Sequence, residues 1–364
     1  GGLGLGRARV VTRQQHAARR PDAAKGHDAR LGIALVGEVD GALGPADAEE
    51  VGEVEVLGHV DTEVIGNGVA LVEQLLLLIG IVRRLKAELR VPVACALQGE
   101  DSFLDALPEP HRAACWQTLA ERAAEVELFI APSRYFGDLM RKRLGLAVER
   151  VQVVHNGINL EGYETRRADG GGDAPALGFF ARMCPEKGLD TLVEAYIRLR
   201  RRGRAGALKL RVGGSCGPAD RPFVESLRER LRASGLLGDA EFHPNPDRAA
   251  KLDFLRSLSV FSVPAGYGEA FGLYVIEALA AGVPVVQPRV AAFPELLEAT
   301  GGGLLCAPDD PQALAEAIEE LLLDPARARA LGESGRRAVF ERFSAGVMAQ
   351  AVARVCAGMA SRRA

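Results

Sequence analysis

Two glutamates with seven residues between them, Glu269 and Glu277, stand in a stretch that is glycine-rich around the first and apolar up to the second. Carboxylates are hydrogen-bond acceptors and repel phosphate. They suit the hydroxyl groups of a sugar and of a ribose. The chain before them, 259–263, is apolar and β-branched and closes on Pro264, which reads as a buried strand entering a loop. Val283-Pro284-Val285-Val286 is the next strand. A helix between the two starts near Phe271 or Gly272 and stops at Gly282, the natural residue past a helix end. Glu269 then sits at the mouth of that helix and Glu277 about two turns inside it. An anion at the same place is held by the amides of Ala270, Phe271, Gly272 and Leu273, where the helix dipole favours negative charge. Gly266, Gly268 and Gly272 let a ligand approach the backbone. The plain alternative is a glycine-rich turn with Glu269 as a cap and Glu277 in solvent.

A second loop has the opposite charge. Residues 176–182 form a strand ending in Arg182, and Lys187-Gly188 precedes a helix over Leu189–Arg202. Arg182 and Lys187 bracket the turn. In an open α/β sheet, ligands bind outside the carboxyl ends of the strands, and both loops lie there. Two cations at that place face a diphosphate whose charge grows as it leaves, taking the role of a metal. Otherwise they are a surface arginine and lysine.

Phe180-Ala181-Arg182, Lys187-Gly188 and the Glu269/Glu277 pair, taken together, resemble the retaining glycosyltransferase family 4, whose relatives include sucrose synthase and bacterial glycogen synthase. Asn156-Gly157-Ile158-Asn159 is similar to the family's Asn-Gly-Val-Asp crossover, and Gly282-Val283-Pro284, Glu295-Leu296-Leu297 and Phe343-Ser344 also fit. The resemblance covers roughly residues 91–360. It implies an α/β protein with two Rossmann-like domains facing across a cleft, the GT-B architecture. The implied reaction moves a sugar from a nucleotide diphosphate sugar to an acceptor hydroxyl on a glycan, lipid or small molecule. It proceeds with retention and needs neither metal nor cofactor. Arg182 and Lys187 would neutralise the leaving diphosphate, Glu269 would hold sugar hydroxyls, and Glu277 would hold the ribose. Gly213 would pass close to the nucleotide, with Gly213-Gly214 as a packing pair as the alternative. Gln98 stands where the family often carries a histidine over the donor sugar, and Glu100 or Asp101 would face the sugar instead. Two rival readings are an inactive truncated product that at most binds nucleotide, and another enzyme on this fold, a phosphorylase or an epimerase.

The 364 residues suffice for two domains, and a net charge of −3 points to no nucleic acid partner. Six cysteines show no metal-ligand spacing and read as reduced thiols of a cytoplasmic protein. The longest apolar run, 75–82, is far below the roughly 20 residues of a membrane span, while peripheral membrane contact stays open.

Residues 1–70 lack Phe, Tyr, Trp, Cys, Met and Ser and read as an atypical segment, disordered or mistranslated, which leaves the N-terminal domain incomplete. Gly66-Asn67-Gly68-Val69 is the nearest candidate for the family's glycine loop. An acceptor-side domain follows over 71–160, a nucleotide-sugar domain over 161–342, and a crossover helix over 343–364. The first of these begins with a helix over 69–90 and a strand over 91–97. Asp101 or Ser102 caps the next helix, Ser133 caps the helix ending at Gly145, Arg134 points to solvent or cleft, and His155 is a satisfied turn residue. From 176 onward strands alternate with helices, which implies a parallel doubly wound sheet.

Overall fold

The computed structural model describes residues 79–165 and 174–361, and the backbone of four short strands ahead of them. Strands β1 (Ile33–Val36) and β2 (Leu57–Val60) pair antiparallel with each other. Strands β3 (Val64–Ile65) and β4 (Val69–Val72) open a five-stranded sheet. The remainder of residues 1–70, including Gly66-Asn67-Gly68, lies outside the described residues.

Strand β4 corrects the expectation of a single helix over 69–90. It pairs parallel with β5 (Val93–Ala96), and helix α1 (Ile81–Leu89) begins only at Ile81. An unbroken apolar run carries no period, so a parallel strand and the start of a buried helix look alike in sequence. Helices α2 (Asp101–Asp105) and α3 (His111–Ala123) lead to β6 (Leu128–Ala131), and α4 (Arg134–Leu144) leads to β7 (Val151–Val153). Every position of β5 and β6 is buried, because both faces of the sheet are covered. Val93, Cys95, Phe129 and Ala131 pack toward α1, α3 and α4, while Ala94, Leu128 and Ile130 point the other way. Ser133 caps α4 as expected, accepting from the Phe136 amide at 3.0 Å, and Gly145 ends it at φ 64°.

The second sheet has six strands: β8 (Ala176–Phe180), β9 (Lys209–Gly214), β10 (Ala240–Pro244), β11 (Val260–Phe261), β12 (Val285–Pro288) and β13 (Gly303–Cys306). All pairings are parallel, in the order β10-β9-β8-β11-β12-β13. Counted within the sheet this is 3-2-1-4-5-6, with the switch point between β8 and β11. Helices α5 (Leu189–Arg202), α6 (Arg221–Ala233), α7 (Arg248–Arg256), α8 (Leu273–Ala280) and α9 (Phe293–Thr300) form the crossovers, and α10 (Pro311–Leu323) follows the last strand. Helix α11 (Pro325–Arg342) packs on α8 and α9. The chain then returns past the end of the first sheet. The Ile158 amide donates to the Phe343 carbonyl and the Ala345 amide to that of Ile158, both at 2.9 Å. Gly157 permits the crossing, since a β-carbon there would lie 2.3 Å from the Ser344 carbonyl oxygen. Helix α12 (Ala345–Ser361) then lays Met348, Val352 and Val355 on the second face of the first sheet. No helix among the described residues is long and apolar enough to cross a membrane.

All six cysteines are free thiols. Burial pushes Cys184 and Cys306 up to about 11, so almost no thiolate forms there at pH 8. Cys115 and Cys216 are partly exposed. In the native protein at pH 8, Cys115 and Cys216 are expected to react quickly with a chromogenic disulfide and the others only after unfolding. Rapid labelling of Cys184, located by peptide mapping, is the contrary result.

Candidate active site

The loops leaving β8 and β11 flank the switch point, and they touch. Gly188, at φ 70°, packs against Pro264 so closely that a β-carbon would sit 2.1 Å from the Pro264 carbonyl oxygen. The contact fixes the short 3-10 turn Pro185–Lys187 beside the loop carrying Glu269. Lys187 Nζ donates to Glu269 Oε2 at 2.7 Å and to the Tyr267 hydroxyl. The Tyr274 hydroxyl donates to the same Oε2 at 2.8 Å, and that of Tyr267 lies 3.2 Å away from it. Burial alone would lower the Lys187 pKa, but the Glu269 charge and hydrogen bond outweigh it and carry the value above that of a free lysine. Burial, followed by the Glu269 charge, pushes Tyr267 up to about 12 and Tyr274 well above its ordinary value. At neutral pH the cluster is therefore an ammonium and two phenol donors on one carboxylate oxygen.

Helix α8 begins at Leu273 behind Gly272, at φ 95°. The amides of Ala270, Phe271, Gly272 and Leu273 donate to no oxygen among the described residues. Amides left over at a helix N-terminus, beside a lysine, are chemically suited to an anion.

Arg182 and Lys187 hold different carboxylates. The Arg182 guanidinium grips Asp220, with Nε at 3.1 and 3.2 Å and Nη2 at 2.9 Å, and remains more than half exposed. Asp220 precedes α6 and is itself tied to the Gly217 amide at 3.0 Å. Gly213 meets the Phe180 ring, where its β-carbon would come within 2.7 Å, so packing accounts for this glycine. Glu277 is engaged at one of its two oxygens. Lys251, from α7, approaches its Oε1 to 2.5 Å and lies 5.2 Å above the Phe180 ring. Asp220 and Lys251 carry no local sign in the sequence, because both arrive from other crossovers than the residues they pair with. Tyr267 and Tyr274 lay within the glycine-rich stretch, and their spacing from Glu269 was the available signal.

The first sheet closes the site from the other side. Gly99, at φ 112°, faces the Ala270 side chain, 3.5 Å from where a β-carbon would stand. Gln98 Oε1 accepts from Asn156 Nδ2 at 3.2 Å. The Glu100 carboxylate folds back onto the amides of Gln98 at 2.9 Å and Gly99 at 3.0 Å. Asp101 is the first residue of α2 and is buried, with Oδ1 unpartnered, and the Ser102 hydroxyl donates to the Gly99 carbonyl. The expected cap by Asp101 or Ser102 is thus corrected: Glu100 occupies the cap position and no side chain bonds there. Burial raises the pKa of both Glu100 and Asp101. The Ser133 hydroxyl donates to the Ala270 carbonyl at 2.7 Å, and the Tyr135 hydroxyl reaches within 2.6 Å of where a Gly268 β-carbon would be. The loop bearing Glu269 is held between the two sheets. His155 is satisfied, 2.9 Å from Glu295, and Arg134 lies largely in solvent.

The sequence model described as "Glycosyl transferases group 1" matches residues 165–338, and that described as "Glycosyltransferase Family 4" matches 74–161. The chain belongs to glycosyltransferase family 4. Among its curated relatives, this family 4 member is 33% identical over 171 residues to a GDP-mannose-dependent alpha-(1-6)-phosphatidylinositol monomannoside mannosyltransferase of Mycobacterium tuberculosis, a match covering 45% of this chain and 43% of that one. It is 33% identical over 243 residues to a D-inositol 3-phosphate glycosyltransferase of Streptomyces bingchenggensis, covering 63% and 52%. The chain therefore spans about half the length of these relatives. Anabaena HepE, solved in complex with UDP and glucose, shares the fold with a TM-score of 0.67 and 20% identity, over 78% of this chain and 77% of that one. The fold of the family 4 chain is GT-B.

Proposed function

We propose that this chain transfers a sugar from a nucleotide diphosphate sugar to an acceptor hydroxyl, with retention at the anomeric carbon and without a metal. The observation that carries the reading is Lys187 on Glu269 beside four unpaired amides at the switch point. As the bond from the anomeric carbon to the phosphate oxygen breaks, charge builds on the diphosphate. Lys187 and the amides of the α8 N-terminus meet that charge, and Arg182 adds a second cation at the sheet edge. Glu269, steadied by Tyr267 and Tyr274, accepts hydroxyls of the sugar. Glu277, aimed by Lys251, accepts the ribose hydroxyls. Gln98, Glu100 and Asp101 line the sugar and acceptor side. The relatives support a nucleotide diphosphate donor: one is GDP-mannose-dependent, and the HepE structure holds UDP.

The test is calorimetric titration of the chain with UDP, GDP and ADP in the presence of a chelator. One of them is expected to bind, and Lys187→Ala abolishes the heat. Glu277→Ala is expected to weaken that nucleotide about 10–100-fold, the worth of hydrogen bonds to a charged group. It should also erase the difference between the nucleotide and its 2′,3′-dideoxy form. Binding of none of the three by the folded chain sinks the reading.

A further inference from the structure

We propose that Glu295 is a positioning residue that clasps the two domains shut over the transfer site. The proposal rests on the transferase reading for its catalytic consequence, but the clasp itself is geometric. Glu295 lies in the first turn of α9, on the second sheet's side, with its side chain only 10% exposed. Its carboxylate crosses to α4 on the first sheet's side. The Arg134 amide donates to Oε2 at 2.8 Å and to Oε1 at 3.1 Å, and the Tyr135 amide donates to Oε2 at 3.3 Å. His155 Nε2 is 2.9 Å from Oε1.

The first amides of any helix need partners from outside it, and the dipole makes an anion the best one. In α4, Ser133 serves Phe136, and the orphan amides of Arg134 and Tyr135 are satisfied by a residue 160 or 161 positions away. Burial would raise the Glu295 pKa, yet His155 and the two amides hold it below the ordinary carboxylate range, so the clasp is anionic at neutral pH.

The position of the clasp explains what it does. The turn that Glu295 captures also carries the Ser133 hydroxyl to the Ala270 carbonyl and the Tyr135 phenol over Gly268. These contacts fall on either side of Glu269. Docking α4 onto Glu295 therefore sets the height of the first domain above the carboxylate that holds the donor sugar. A carboxylate on helix amides also opens at low cost, because both halves are well hydrated when apart and lose that hydration on closing. An apolar plug would hold the domains together more permanently. A charged clasp lets donor in and nucleotide out.

The test uses the full chain and its Glu295→Ala and Glu295→Gln variants, with three readouts: nucleotide affinity, transfer rate and small-angle X-ray scattering. For Glu295→Ala, nucleotide Kd is expected to stay within about 3-fold, because the anion site belongs wholly to the second domain. Transfer is expected to fall about 100-fold in kcat with little change in donor KM, the effect of a small misplacement at the reacting centre. The scattering radius should increase in the unliganded variant. Glu295→Gln keeps an acceptor for the Arg134 amide and should recover part of both. Unchanged scattering and unchanged transfer overturn the proposal. So does a parallel loss of nucleotide affinity, transfer and melting temperature, which marks Glu295 as a structural residue. If wild type shows no transfer at all, the functional reading fails while the scattering comparison still decides the clasp.

Discussion

Lys187→Ala is expected to lower kcat by about 100- to 1,000-fold, the loss seen when one donor to a developing oxyanion is removed. It is expected to leave the fold in place. The two effects separate because Lys187 has two different environments along the reaction. In the unliganded protein its ammonium is tied to Glu269 Oε2 at 2.7 Å, and that oxygen also receives the phenol of Tyr274 at 2.8 Å and faces that of Tyr267 at 3.2 Å. Removing the lysine leaves Glu269 with two donors, and the carboxylate stays 14% exposed to solvent. The cost to stability is then nearer a hydrogen bond than a stranded charge, about 1–2 kcal/mol. For a domain of this size that moves the melting temperature by roughly 2–8 °C. In the transition state no phenol substitutes for the ammonium, because the added charge is on the departing diphosphate. Initial rates and thermal melts on the same preparation check this. A melting temperature that collapses with the rate would make Lys187 a structural residue and remove the main support for the proposed chemistry.

What the sequence disclosed, and what it withheld, divides along the range of the interactions. Helix Leu189–Arg202 has the expected bounds because its stop is local, with Gly203 directly after it. The alternation of strand and helix after residue 176 led directly to a parallel sheet, since parallel strands need crossovers. Strand β4 was missed because an apolar run without a period does not declare its geometry. The partners of the charged residues were missed for a different reason. Arg182 and Asp220 are 38 positions apart, Lys251 and Glu277 are 26, and Arg134 and Glu295 are 161. Only the folded sheet order makes those neighbours. Residue type thus pointed to the chemistry, while the pairing that orients each charge belongs to topology.

Gly188→Ala is expected to unfold the second domain's catalytic edge, and a second glycine supplies the control. Gly188 and Gly203 both have φ of 70°, so alanine carries the same backbone strain at either. That strain is about 1–2 kcal/mol for an L-residue in the left-handed region. Their surroundings differ completely. A β-carbon at Gly203 meets nothing within 4 Å, whereas one at Gly188 lies 2.1 Å from the Pro264 carbonyl oxygen and 2.7 Å from its carbon. Both colliding atoms are backbone, so no side chain can rotate away. Relief requires the loop after β8 to part from the loop after β11, and that separation draws Lys187 off Glu269. Gly203→Ala should therefore lower the melting temperature by roughly 2–8 °C and leave nucleotide binding intact. Gly188→Ala should lose more than about 4 kcal/mol, a fall of roughly 10 °C or more, and whatever remains folded should bind no nucleotide. Calorimetric melts of the two variants beside wild type decide the matter. Equal shifts would mean that the two loops are not in contact as described, and that the closeness of Lys187 to Glu269 is not held by Gly188 and Pro264.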